Sequence, residues 1–266
     1  MSLSFCIANW KAQRTPDDES TLSYDIVSAL NRTPAPNVEV ILSPSFLSLS
    51  EIARTADYPL SLAAQDCYWQ QPAAATGEIT PLALAHAGCR YVIVGHSERR
   101  RLLGETDEMI AKKCALLFET QKKLGLIPII CVGETAQERK AGKTQSIVSK
   151  QLSAIFDVVS LKNYHSLIVA YEPVWAISTS SEKGIAESCS PGDCDAARGY
   201  IQTLFNTYYP APKTAPTFHM IYGGSVDEKN AASYVQQGGM QGVLVGSASL
   251  HAKQFCAIVH ALNTAL

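Results

Sequence analysis

Apolar residues come in short continuous runs that end in small or polar ones. They are Phe5 to Ala8, Val38 to Leu42, Leu60 to Ala64, Tyr91 to Gly95, Ile127 to Val132, Leu167 to Tyr171, Phe218 to Tyr222 and Gly242 to Val245. Runs of this length without polar alternation predict strands buried on both faces, as in a parallel sheet. Between them the apolar spacing changes to three and four: Leu22, Ile26 and Leu30; Ile110, Cys114 and Leu117; Val148, Leu152, Ile155 and Val159; Phe255, Val259 and Leu262. Each set predicts a helix with one apolar stripe laid on the sheet. The pairs Thr15-Pro16, Ser43-Pro44, Thr80-Pro81 and Ser190-Pro191 mark four helix starts, a capping hydroxyl followed by a ring whose φ already suits a helix. Strand, loop and helix repeated along the whole chain predict an α/β fold, a (βα)8 barrel of eight parallel strands ringed by helices. A doubly wound open sheet is the competing architecture. It would place a Gly-rich turn after the first strand, where this chain has Asn9, Trp10 and Lys11.

The length of 266 residues suits one barrel, and no Pro-, Gly- or Ser-rich linker divides it, so residues 1–266 are read as a single domain. A net charge of −2, with Lys and Arg scattered, supplies no basic stripe, which argues against nucleic acid or an anionic membrane as partner and for a small molecule. No apolar run approaches the roughly 20 residues of a membrane span, and the opening MSLSFCIANWK lacks the basic leader and cleavage pattern of a secretory signal. The eight cysteines are spread through apolar stretches, as expected of reduced thiols in the cytoplasm. Cys189 and Cys194 flank Ser190 to Asp193. A metal would need more ligands and a disulfide an oxidising compartment, so they read as two free thiols beside a helix start.

In a parallel barrel every strand ends on one face, and the residues just past the apolar runs converge there. Those positions hold Asn9 and Lys11; Gln65; His96, Ser97 and Glu98; Cys131 and Glu134; Glu172; Gly223, Gly224 and Ser225; Gly246 and Ser247. Glu172 closes a buried strand and is followed by Pro173, Val174 and Trp175, a stiff exit suited to a catalytic base. With His96 on the same face it forms a base and hydrogen-bonding electrophile for proton transfer beside a carbonyl. Lys11 reads either as a snorkelling surface lysine or as a fixed positive charge that holds an anionic substrate. The turns YGGSV and VGSAS, at the ends of the last two strands, expose backbone N–H groups where barrels bind phosphate.

The segments ANWK at 8–11, TGEIT at 76–80, YVIVGHSERR at 91–100, CVGETAQER at 131–139, YEPVWAI at 171–177 and YGGSV at 222–226 occur in an order that resembles the triosephosphate isomerase family over nearly the whole chain. The resemblance implies a TIM barrel without metal or organic cofactor. It would interconvert D-glyceraldehyde 3-phosphate and dihydroxyacetone phosphate through an enediol or enediolate. By the same resemblance Glu172 shuttles the proton, His96 polarises the carbonyl as neutral imidazole, and Lys11 and Asn9 stabilise the developing charge. Glu98 and Cys131 would support the site, and Ser178, Ser225, Gly246 and Ser247 would hold the substrate phosphate. A homodimer is implied, with Ala12, Gln65 and Thr76 at the interface and a loop from one subunit reaching the other's site. This sequence departs from the family at Ala12, where a larger residue is usual, and at Ala73-Ala74-Ala75, where a glycine normally precedes TGE.

The largest departure follows Ile177. The chain reads STSSEKGIAESCSPGDCD, and the next helix start arrives about six residues later than the family pattern, an insertion whose closure costs only a few tenths of a kcal/mol. Ser178 stands where the family has a lid glycine that donates its N–H to phosphate; if positive φ is required there, the side chain costs on the order of 1 kcal/mol. Two alternatives therefore stand beside the isomerase reading: an isomerase of another small sugar phosphate, and a non-catalytic barrel whose altered lid binds a partner.

Overall fold

The computed structural model describes residues 3–71, 74–162, 165–177, 189–210 and 216–265. Its strands are β1 (Ser4–Asn9), β2 (Val38–Ser43), β3 (Ser61–Ala64), β4 (Cys89–Val94), β5 (Ile127–Val132), β6 (Ser166–Tyr171), β7 (Thr217–Tyr222) and β8 (Gly242–Val245). They pair in sequence order, all parallel, and β8 closes on β1. The helices of the described residues are α1 (Pro16–Arg32), α2 (Leu49–Thr55), α3 (Pro81–His86), α4 (Ser97–Leu103), α5 (Asp107–Leu124), α6 (Ala136–Lys140), α7 (Thr144–Phe156), α8 (Pro191–Tyr208), α9 (Ala231–Gln236) and α10 (Ala252–Ala265).

Alternation along each strand splits the core in two. Phe5, Ile7, Ile41, Ile93, Ile129, Ile168 and Ile221 fill the barrel, while Cys6, Ala8, Val40, Val92, Ile130 and Val169 pack under the helices. Continuous apolarity in the sequence is the sum of these two faces. Leu22, Ile26 and Leu30 of α1, and Phe255, Val259 and Leu262 of α10, are buried in the outer layer as their spacing predicts. Each buried side chain of this size contributes roughly 1.5–3 kcal/mol. Val159 is the exception, lying past the end of α7 at Phe156 and only partly buried. At the seam between β8 and β1, Gly242 has φ +152°, and an added Cβ would stand 2.1 Å from the Phe5 carbonyl oxygen.

Three of the four predicted helix starts are real. Thr15 and Ser190 make reciprocal capping boxes with Asp18 and Asp193, and Thr80 accepts from the Ala83 N–H. Ser43-Pro44 starts no helix: Ser43 is the last residue of β2, and α2 begins at Leu49 behind Ser48. The connection that follows is organised by Glu19, a fully buried carboxylate from α1. It accepts from Ser45 N at 2.8 Å, Ser45 Oγ at 2.7 Å and Ser48 Oγ at 2.5 Å, so these hydroxyls serve the carboxylate instead of a helix end.

Candidate active site

The inward period of two delivers polar side chains to the barrel mouth. Phe5 and Ile7 are followed on the same face by Asn9, and Ile168 and Ala170 by Glu172. Asn9, Lys11, His96, Glu172, Ile177, Gly223, Gly224, Ser225, Val226, Leu244, Gly246 and Ser247 line one cleft of about 220 Å³. That is smaller than the roughly 300–1,000 Å³ pockets of drug-sized ligands and suits a small substrate.

Lys11 is held, not snorkelling. Its φ of +56° is left-handed, a conformation that costs an L-residue roughly 1–2 kcal/mol. Three contacts impose it: Lys11 N donates to Asn9 Oδ1 at 3.1 Å, Gln65 Nε2 donates to the Lys11 carbonyl at 2.7 Å, and Lys11 Nζ pairs with Glu98 Oε1 at 2.7 Å. The ammonium is the one cation among the described residues that line the cleft. Gln65 also donates to the Ser43 carbonyl, so its amide ties β1, β2 and β3 together within a single chain.

His96 caps α4 through its ring. Nδ1 accepts the Glu98 N–H at 3.3 Å, which leaves Nε2 to carry the proton of the neutral imidazole. Nε2 lies 3.3 Å from Glu172 Oε1. Nδ1 also faces the Glu98 carboxylate, with Oε2 at 3.7 Å.

Glu172 is 2 % exposed. Its N–H donates to the Val132 carbonyl at 2.7 Å, extending the β5–β6 pairing by one residue, and Oε2 accepts from Ser97 N at 3.3 Å. Gly223 packs on it so closely that an added Cβ would lie 2.7 Å from Glu172 Cγ. Cys131 is fully buried on the barrel's inner face; burial first, and the Glu172 carboxylate second, push its thiol well above the ordinary range, so it packs as a neutral group.

Beyond Glu172 the chain runs through Pro173 into a 3₁₀ turn, Val174–Ala176. The turn is pinned by Glu134, whose buried carboxylate accepts from Trp175 Nε1 at 2.8 Å and from Tyr171 OH at 3.1 Å, and whose carbonyl accepts from Val174 N at 3.0 Å. The Arg139 guanidinium lies 3.6 Å above the Trp175 ring.

On the opposite wall the Gly/Ser turns are placed as their position after β7 and β8 requires. Gly246 and Ser247 open a 3₁₀ turn, Ser247–Leu250, and Gly246 lies beside the Lys11 side chain. Ser225 is engaged differently: its N–H donates to the Ala176 carbonyl at 2.9 Å, while its buried Oγ has no hydrogen-bond partner. Ala12 and Thr76 are exposed and outside the cleft lining. Ser178 and the segment 178–188 lie outside the described residues.

Sequence reasoning placed Ser97 and Glu134 at strand ends without a role. Ser97 acts through its backbone N–H, which no side-chain pattern reveals; Glu134 had a signal, a carboxylate two residues past a buried strand and facing an aromatic pair. Among the described residues no group of three His, Cys, Asp or Glu side chains converges at metal-ligating geometry, and no helix is long and apolar enough to cross a membrane. A buried carboxylate, an imidazole N–H and an ammonium around one small cleft can remove a proton beside a carbonyl and stabilise the resulting oxyanion.

A family model described as triosephosphate isomerase matches residues 4–262. The triosephosphate isomerase of Syntrophotalea carbinolica is 36% identical over 260 residues, 97% of this chain and 98% of that protein. The triosephosphate isomerases of Chloroflexus aurantiacus, 36% identical over 98% of this chain and 99% of its own length, and Rhodopirellula baltica, 36% identical over the full length of both, are similarly close.

Proposed function

The chain belongs to the triosephosphate isomerase family, and we propose that Glu172, His96, Lys11 and Asn9 carry its interconversion of D-glyceraldehyde 3-phosphate and dihydroxyacetone phosphate. Glu172 removes a proton from the carbon next to the substrate carbonyl and returns it to the neighbouring carbon. His96 donates Nε2–H to the oxygen on which charge develops, and Lys11 lowers the energy of that charge across the cleft. Asn9 fixes the Lys11 backbone. What supports the assignment above all is the position of the Glu172 carboxylate, buried, 3.3 Å from His96 Nε2 and in a cleft that Lys11 shares.

The substrate phosphate goes to the wall of Gly224, Ser225, Gly246 and Ser247, with Ser178 as the donor from the segment after Ile177. The Ser225 N–H, given to Ala176 here, becomes available to phosphate only when the 3₁₀ turn after Glu172 moves away from it. Binding and movement of the turn are thereby coupled. Glu98 acts through Lys11 and Cys131 through the packing of Glu172.

The active form is a homodimer with Ala12, Gln65 and Thr76 at or beside the interface. In support, Phe46, Leu47, Leu82, Leu102 and Leu103 are exposed on the connections and helices that follow β2, β3 and β4. Sedimentation at micromolar concentration should give a dimer, and a monomer that is fully active would contradict this. The cytoplasm is the compartment that eight free cysteines fit.

Steady-state isomerase kinetics, with release of inorganic phosphate followed in parallel, test the reading. Turnover of triose phosphate that depends on Glu172 is expected. A clear preference for a four-carbon sugar phosphate would move the substrate, and no turnover with either would leave a binding barrel.

A further inference from the structure

The start of α8 carries two thiols that the chemistry at the barrel mouth does not use. Ser190 is the N-cap and Asp193 completes the capping box, so Cys189 precedes the cap and Cys194 sits at the fourth helical position. These are the two positions at which helix starts commonly clamp a pair of apolar side chains. Here the clamp is made of sulfur: Cys189 Sγ lies 3.7 Å from Cys194 Sγ, and both side chains are buried. Among the described residues no other pair of cysteine sulfurs is in such contact.

We propose that Cys189 and Cys194 are a reversible dithiol–disulfide pair that covalently locks the first turn of α8. The capping box and the Tyr234 OH, which donates to the Cys189 carbonyl at 3.0 Å, already fix both backbones. The sulfurs must close from 3.7 Å to the ~2.05 Å of a bond, a displacement within reach of side-chain rotation. The oxidant is a small-molecule disulfide. The Cys189 thiolate attacks one of its sulfurs and releases one small thiolate; the Cys194 thiolate then attacks Cys189 Sγ and releases the second. The two protons lost from the protein end on the two released thiols, so the protein gives up two electrons and the small disulfide accepts them. The hydrogen bond to Cys189, and then burial, raise the Cys194 thiol far above the ordinary range. Burial of both sulfurs makes exchange slow, at the pace at which the first turn opens.

The lock would act at a junction of the site. In the same turn Asp193 faces Arg139 at 3.4 Å, and Arg139 covers Trp175. Tyr234 stacks at 4.0 Å on Tyr222, the residue that leads into Gly223.

The full chain is equilibrated with graded ratios of oxidised to reduced glutathione, quenched by alkylation in denaturant, and mapped by peptide mass. A Cys189–Cys194 disulfide is expected as the first oxidation product, reversed by dithiothreitol, with the remaining cysteines alkylated. The unfolding midpoint should rise on oxidation of the wild type and stay unchanged in Cys189→Ala and Cys194→Ala. The proposal is overturned if both thiols alkylate at ratios that fully oxidise a reference dithiol peptide, if oxidation stops at a glutathione adduct, or if a different cysteine pair bonds first. Product identity is read in the wild type alone, so a poorly folding alanine variant leaves the test intact.

Discussion

Glu39 and Glu172 are two carboxylates on the inner face of the same barrel, one at its floor and one at its mouth. Glu39, paired in register with Phe5, accepts from Ser61 Oγ at 2.9 Å and Tyr91 OH at 2.7 Å and pairs with Arg90 at 3.3 Å. Glu172 is more deeply buried, takes one backbone donor at 3.3 Å, and turns its Oε1 to His96 Nε2, 3.3 Å away at the cleft. The floor uses its carboxylate to hold strands together, whereas the mouth keeps its own open toward a cleft. Residue type is the same at both ends, and the partners, strand-bridging hydroxyls for Glu39 and an imidazole at the cleft for Glu172, separate structure from chemistry.

The sharpest way to break this comparison is to neutralise each carboxylate. Glu172→Gln should lower kcat by on the order of 10²–10⁴ with the unfolding midpoint little changed, because it removes a general base while the isosteric amide can still accept from Ser97 N. Glu39→Gln should do the reverse, costing about 1–3 kcal/mol of stability while kcat stays within about twofold. Kinetics and urea unfolding on the two variants read both effects. Lys11→Met ranks next: loss of a positioned cation should lower kcat/KM by about 10²–10³, visible in the same assay.

Much of the fold and of the site is legible in the sequence. Continuous apolar runs gave the strands, since burial on both faces leaves no other pattern, and strand ends gave Asn9, Lys11, His96 and Glu172 because one barrel face collects them. Ser43-Pro44 misled because β2 runs through Ser43, and the serines after it bond Glu19, whose carboxylate arrives from a different helix. Gln65 is another case: its amide holds the Lys11 carbonyl within the chain, a contact set by three strands meeting in space and by no local spacing. The segment after Ile177 obeys no strong period, so neither apolar pattern nor capping predicts its form.

A smaller effect tests the hinge beside Glu172. Trp175→Phe loses the bond to Glu134 and weakens the stacking of Arg139, together worth about 1–2 kcal/mol, so a several-fold change in kcat is expected with altered solvent-viscosity dependence. An unchanged viscosity profile would remove the turn from the rate-limiting motion.

The smallest effect belongs to the floor again. Burial lowers the ring pKa of His219, whose Nδ1 has no hydrogen-bond partner and whose ring packs at 5.0 Å from Phe5; burial likewise lowers that of His165. As pH falls below about 6.5 the unfolded chain takes up these protons first, so stability is full above that pH and declines as pH drops toward the folded values. Urea midpoints between pH 7.5 and 5.5 should fall less in His219→Phe than in the wild type.

The central claim is that the Glu172 carboxylate at the mouth moves the proton. It is tested most directly by incorporation of solvent deuterium into the carbon-bound hydrogens of dihydroxyacetone phosphate, measured by NMR on the wild type and on Glu172→Gln of matching circular dichroism. The wild type should exchange and isomerise, and the variant should lose both by at least about 10²-fold. A folded variant that retains exchange within tenfold of the wild type would contradict the account.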